Sequence, residues 1–217
     1  MRFPRFLIAV LLGSFVLLLA ACSGQGQQGG KGGATESPSS RVPSPGAKSG
    51  VFAGEELVPP VPAPPFDLTD HKGRRTKLSD YKGRYVLLTF AYTACPDICP
   101  RLARSFKEVE KAFEKDVDRR ISFVIISVDP EGDTTEKARR WTEAFGGSWR
   151  YLVGSRFELE KVWDAYGILV QKASDGSIGH AVKTYLIDPN GLVRLRYMGV
   201  GWERAAISDL NKIMGEK

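Results

Sequence analysis

Two apolar runs flanking an amphipathic stretch constrain this chain more than any other feature. Tyr85-Val86-Leu87-Leu88-Thr89-Phe90 and Ile121–Val128 show no in-and-out alternation, so each predicts a strand covered on both faces. Between them, Leu102, Phe106, Val109 and Phe113 recur at helical spacing within Arg101–Val117. A strand, a crossover helix and a second strand make a parallel pair. Asp133-Thr134-Thr135-Glu136 reads as a capping box opening a helix that runs to Phe145 and closes at Gly146-Gly147. Ser155-Arg156-Phe157-Glu158 reads as another, with Gly167 ending its helix. Thr184–Ile187 and Leu192–Tyr197 flank Asp188-Pro189-Asn190-Gly191, a hairpin turn, and Glu203–Met214 is a final helix. The expected fold is an α/β, thioredoxin-like sandwich. It carries an N-terminal β-hairpin around Asp70-His71-Lys72-Gly73 and a mid-chain helical insert over Asp133–Gln171. His71, in a polar turn, is expected to be exposed.

This domain is expected to occupy residues 66–217. Ahead of it, eight of the 13 prolines fall between Pro38 and Pro65, and Ser23–Pro65 is otherwise rich in Gly, Ser, Gln and Ala. Such composition buries too little apolar surface to offset its ordering entropy and reads as a tether, flexible first and stiffer later. Residues 1–21 carry Arg2 and Arg5, then the apolar run Phe6–Ala21, the pattern of an export signal. The run ends Leu19-Ala20-Ala21-Cys22, which resembles a bacterial lipoprotein signal whose cysteine, here Cys22, is lipidated. The alternative, an uncleaved membrane anchor, has an apolar run shorter than the roughly 20 residues needed to span. Either way the domain is expected at the extracytoplasmic face of a bacterial membrane. The net charge of +6 is spread without a long Lys/Arg run, so no nucleic-acid partner is implied.

The chain has three cysteines and two histidines, which excludes a disulfide-dense scaffold and any multi-zinc fold. With Cys22 assigned to lipid, Cys95 and Cys99 are the remaining thiols. They lie just past the C-terminal end of the first buried strand and lead into a helix, where chemistry gathers in open α/β sheets. The helix N-terminus is expected to lower both thiol pKa values. Both sulfurs are expected to point outward, with Pro100 at the helix start disfavouring helical geometry at Cys99. The pair suits a redox disulfide, a structural disulfide or a splayed pair of metal ligands. His180 precedes the strand Thr184–Ile187, and in a sandwich of this kind that loop faces the cysteine loop. Two thiolates and an imidazole are soft donors. A zinc site would need a fourth ligand and an iron–sulfur cluster more cysteines, so copper fits best on count and softness.

Thr93-Ala94-Cys95-Pro96-Asp97-Ile98-Cys99-Pro100 resembles the signature of the Sco/SenC proteins, copper chaperones of cytochrome c oxidase assembly. Ser127–Thr134 and His180 followed by Thr184–Gly191 resemble two further blocks of that family. The resemblance implies copper, Cu(I) or Cu(II), on Cys95, Cys99 and His180. It also implies a membrane tether and delivery to the dinuclear copper site of the oxidase, or reduction of that site's cysteines. One departure is Gly179, where the family often has Asp before the histidine, so a carboxylate that would orient His180 is missing. Asp97 is expected to cap the helix or tune the thiolates, and Asp129 to lie behind the ligands or simply to form an Asp-Pro turn. The alternative function is an exported thiol–disulfide oxidoreductase without copper transfer, which needs no His180. A peroxidase fits less well: Thr93 is present, but Cys99 and Arg101 do not follow the usual pattern.

Overall fold

The computed structural model describes residues 51–215. The expected export segment, Cys22 and the first part of the expected tether lie outside the described residues. The core is one eight-stranded sheet, in the order β1 (Glu55–Pro62), β10 (Leu192–Met198), β9 (Lys183–Ile187), β4 (Tyr85–Ala91), β5 (Ile121–Ser127), β6 (Arg150–Val153), β2 (Asp67–Asp70) and β3 (Arg75–Lys77). β4, β5 and β6 are parallel, and every other pairing is antiparallel. β4 and β5 pair along their whole length, Tyr85 opposite Ile121 and Ala91 opposite Ser127. Their residues are buried almost throughout, as unalternating apolar runs require.

Helices cover both faces. On one, α1 (Ile98–Ala112) contacts α2 (Thr135–Phe145) and α4 (Glu203–Gly215). There Phe106 of α1 packs edge-on to Trp149 and Trp202 and against Phe123 of β5. On the other, α3 (Arg156–Ala165) ends at Tyr166, whose ring meets Phe90 and Tyr185. Each aromatic group joins a helix to a central strand, so burial itself fixes the layers. The expected sandwich, its N-terminal hairpin β2–β3 and the β9–β10 hairpin all form. No described helix is long and apolar enough to cross a membrane.

Four expectations need correction. First, the ordered domain begins before Phe66: β1 lies within the proline-rich stretch and forms a sheet edge. Proline is tolerated at an edge because its missing N–H breaks no ladder. The buried carboxylate of Asp209 anchors the entering chain, accepting the Ala53 and Gly54 N–H groups at 2.9 Å each. Second, the mid-chain insert contains a strand. β6 is only four residues long, too short to read by periodicity, yet it extends the parallel sheet and makes α2 a second crossover helix. Third, the helix after Asp133 is capped by Thr134, whose hydroxyl accepts the Lys137 N–H at 3.2 Å; Asp133 turns inward instead. The Ser155–Glu158 box forms as expected.

Fourth, His71 is buried. The Asp70 carboxylate closes the turn by accepting the Lys72 and Arg74 N–H groups, and this folds the His71 ring against β6. Its Nδ1 accepts the Tyr151 N–H at 3.2 Å, so the ring must be neutral at that nitrogen. Burial holds its pKa below the ordinary value of 6.5. The unfolded chain therefore binds a proton more readily, and the stability that neutral His71 supplies is present above about pH 6.5 and lost as pH falls. Replacing His71 by Asn, which keeps an acceptor, should flatten the fall in unfolding free energy between pH 7 and 5. Parallel parent and variant curves in urea titrations would show that His71 does not carry the dependence.

Candidate metal and redox centre

The cysteine loop begins where β4 ends. The Val128 N–H donates to Ala91 O at 2.9 Å, tying the loop's first residue to the end of β5. Beneath the loop lies Asp133, 6% exposed. Its Oδ1 accepts the Thr93 N–H at 2.9 Å and the Thr93 hydroxyl at 2.6 Å. Its Oδ2 accepts the Ser127 hydroxyl at 2.6 Å and the Tyr151 hydroxyl at 2.8 Å. One carboxylate thus joins the cysteine loop to the ends of β5 and β6, and satisfying a buried charge with four donors makes the arrangement rigid. Sequence reading missed this residue because the adjacent Thr134-Thr135-Glu136 looks like ordinary helix capping. The available signal was one acid too many for the cap.

α1 starts at Ile98 with Asp97 at the N-cap position, but the Asp97 side chain makes no capping bond and is exposed. The cap is a sulfur: the Cys99 N–H donates to Cys95 Sγ at 3.2 Å. Cys99 is helical despite preceding proline, and Pro100 is the third helical residue, where a missing N–H costs nothing because the first N–H groups of a helix have no intrahelical partner.

The two thiols are unequal. Both are free, but Cys99 is 1% exposed and faces the core, whereas Cys95 is partly exposed. Burial, reinforced by the Cys95 side chain and the Asp133 charge, pushes the Cys99 thiol well above its ordinary pKa. This overturns the expectation of two outward, acidified thiols. A helix N-terminus favours a thiolate, yet desolvation outweighs it for the sulfur turned inward.

His180 ends β8 (Ile178–His180), which pairs with β7 (Val170–Lys172) in a small separate hairpin, Val170 opposite His180. Its Nδ1 lies 3.2 Å from Ala181 O. A ring donating there keeps its Nε2 lone pair for other use. Tyr92 stands between imidazole and sulfur. Burial, with the Cys95 sulfur nearby, raises the pKa of its hydroxyl, and its ring meets the His180 ring edge-on at 6.5 Å between centroids. The histidine therefore lies beside the cysteine loop. Among the described residues, however, no three His, Cys, Asp or Glu side chains are grouped closely enough to hold a metal ion.

Asp129 closes a turn, its Oδ1 accepting the Gly132 N–H at 2.9 Å. A Cβ on Gly132 would lie 1.9 Å from Asp129 Oδ2, so only glycine fits that close approach. Asp129 also lines a cleft of about 510 Å³ that Ile178 of β8 borders. At Gly179 a Cβ would meet nothing nearer than Gln171 O at 3.8 Å, so there is room for a side chain beside His180.

The inequality of the thiols is directly measurable. Under limiting iodoacetamide at pH 8, Cys95 should be alkylated well before Cys99, as read by peptide mass spectrometry; equal rates would contradict the burial described. Asp133→Ala strands four donors and should cost about 3 kcal/mol of unfolding free energy. It should also raise the alkylation rate of Cys99, whereas a variant with parent stability would deny Asp133 its anchoring role.

Against known proteins, the SCO1/SenC family profile matches residues 57–215. The human mitochondrial protein SCO1 homolog is 32% identical over 138 residues, covering 61% of this chain and 46% of its own. The chain spans about half the length of the curated relatives it matches. Among solved structures, Bradyrhizobium japonicum ScoI with copper bound is 31% identical with a TM-score of 0.61, covering 70% of this chain and 98% of its own. BsSco, described as a Sco-family cytochrome c oxidase assembly protein with a disulfide switch, is 25% identical with a TM-score of 0.63, covering 76% and 99%.

Proposed function

The chain belongs to the SCO1/SenC family, and from that premise we propose that it is a membrane-tethered copper carrier for cytochrome c oxidase assembly. Its ligands are Cys95, Cys99 and His180, and its anchor is a lipid on Cys22 at the extracytoplasmic face. The reading is carried by the contact of one side chain, Tyr92, with both Cys95 and the His180 ring. Two sulfurs four residues apart, one before α1 and one in its first turn, and an imidazole with an available Nε2 make a donor set that suits copper. Copper itself, the cargo, supplies affinity for thiolate and the capacity to pass between thiolate sites by ligand exchange.

The chain's own residues do the rest. Cys95, partly exposed, is the first sulfur a metal or partner meets. Cys99 loses its proton as it becomes a ligand, because a bound cation offsets the desolvation that otherwise keeps it protonated. Tyr92 must yield, and the β7–β8 hairpin must approach, for His180 to join the sulfurs. Asp133 holds the loop in place while this happens. Release to a receiving pair of cysteines leaves both thiols reduced, so the carrier is ready for another ion.

A second reading rests on the thiol inequality. An accessible Cys95 and a buried Cys99 suit attack followed by resolution. Cys95 would attack a partner disulfide, Cys99 would displace the mixed disulfide, and the pair would end oxidised as the partner gains two thiols. A receiving copper site needs reduced cysteines, so this activity serves the same assembly.

His180 separates the two. In the full chain, His180→Ala should weaken Cu(II) by about a hundredfold or more and alter its thiolate charge-transfer spectrum, while leaving disulfide exchange intact. An unchanged Cu(II) affinity and spectrum would remove the copper reading and leave the reductase. Gly179→Asp should strengthen Cu(II) binding, since a carboxylate beside the ring raises imidazole basicity and fixes its orientation; unaltered binding would show that Gly179 is no handicap.

A further inference from the structure

The parallel strands carry the cysteine loop at their C-terminal ends. At their N-terminal ends, about 20 Å away by strand rise, lies a pocket of about 240 Å³ that the copper reading leaves without a role. Arg84 precedes β4 and Arg150 opens β6; Arg74, Arg75, Thr76 and Tyr81 complete the wall with two carboxylates, Asp80 and Asp118.

The arginines differ in what they already hold. Arg74 is paired with Asp70 at 2.8 Å, and Arg75 with Asp67 and Glu158 at 2.9 and 3.0 Å. Arg84 is fixed without an ion pair to any described residue. Its Nη2 donates to Asp80 O at 2.7 Å and its Nη1 to Asp118 O at 3.4 Å, and its guanidinium carbon lies 5.1 Å from the Tyr81 ring centroid. Those two bonds leave three of its five donors unused. Arg150, half-buried, forms no salt bridge with any described residue. Asp80 is committed to the Lys77 N–H at 2.8 Å. Two guanidinium groups of the wall, Arg84 and Arg150, thus have no salt-bridge partner among the described residues, although the carboxylates of Asp80 and Asp118 line the same pocket.

A second, independent observation comes from Tyr81. It is 5% exposed, and its hydroxyl is buried with no hydrogen-bond partner among the described residues. A stranded donor of this kind costs free energy unless something accepts from it. Tyr81 lines the pocket, and an oxyanion seated there would take the unused arginine donors and, once neighbouring side chains shift to uncover it, the Tyr81 hydroxyl as well. Several guanidinium forks and a hydroxyl on different walls suit a tetrahedral anion with three or four oxygens better than a planar carboxylate with two.

We propose that this arginine pocket, with Arg150, Arg84 and Tyr81 as its working donors, binds a phosphate group. The phosphate is either free in solution or part of a lipid headgroup of the membrane to which the chain is tethered. The proposal is independent of copper binding.

The test titrates the full-length chain with inorganic phosphate by calorimetry against chloride at matched ionic strength. The parent should show saturable binding to phosphate and none to chloride. Arg150→Gln should weaken phosphate about tenfold or more. Tyr81→Phe should also weaken it, yet leave thermal stability without phosphate unchanged or higher, because it removes an unsatisfied hydroxyl. Arg139→Gln, on the exposed face of α2, should change nothing. A second arm compares parent and Arg150→Gln on phosphatidylcholine vesicles with and without phosphatidic acid. Both proteins carry the same N-terminal segment, so only the pocket differs. Extra retention of the parent on phosphatidic acid assigns the site to headgroups; phosphate binding without it assigns the site to free phosphate. No Arg150-sensitive binding in either arm, or equal heats with chloride, overturns the proposal.

Discussion

A single buried carboxylate sets the geometry of this protein's reactive end. Asp133 accepts from Thr93 on the cysteine loop, Ser127 at the end of β5 and Tyr151 on β6. A charge in that position is tolerable only because four donors surround it. The same bonds hold the loop where Cys95 and Cys99 emerge, so the placement of both sulfurs depends on a residue some 35 positions further along the chain. His71 belongs to the same arrangement from the far side, since it takes the backbone N–H of Tyr151.

Above that anchor, burial creates two different sulfurs from two identical side chains. Cys99 is turned into the core and kept protonated; Cys95 is left at the rim, where it also caps α1. Such a pair suits both a carrier that binds a soft metal and a dithiol that attacks and resolves. Tyr92 bridges to the imidazole, and the hairpin that bears His180 is tied to the large sheet through neighbours rather than by strand pairing. The ligand that distinguishes the two chemistries is thus on the element outside the main ladder, which is where movement is least costly.

Much of the fold was legible because its signals were long or chemically strong. β4 and β5 are mostly apolar runs without in-and-out alternation, Ser155 and Glu158 form a reciprocal cap, and Gly146 closes α2 in a left-handed conformation. Short elements were illegible. β6 has four residues and β8 three, too few for periodicity, and β1 was concealed by prolines that an edge strand tolerates. At the reactive end, the cysteine spacing and His180 could be picked out. The burial of Cys99, the inward turn of Asp133 and the bridging position of Tyr92 could not, because each depends on packing between distant segments.

What the amino-acid order determined alone was therefore chemical: which residues carry sulfur and imidazole, which runs must be buried, and where glycine and capping residues end the helices. These follow from side-chain type and local spacing. Tertiary structure decided which sulfur meets solvent, which acid is an anchor, that His71 is inside, and that arginines from three separate strand ends line one pocket with Tyr81. Desolvation and hydrogen-bond satisfaction are set by neighbours brought together from across the chain, and those neighbours exist only once the sheet has closed.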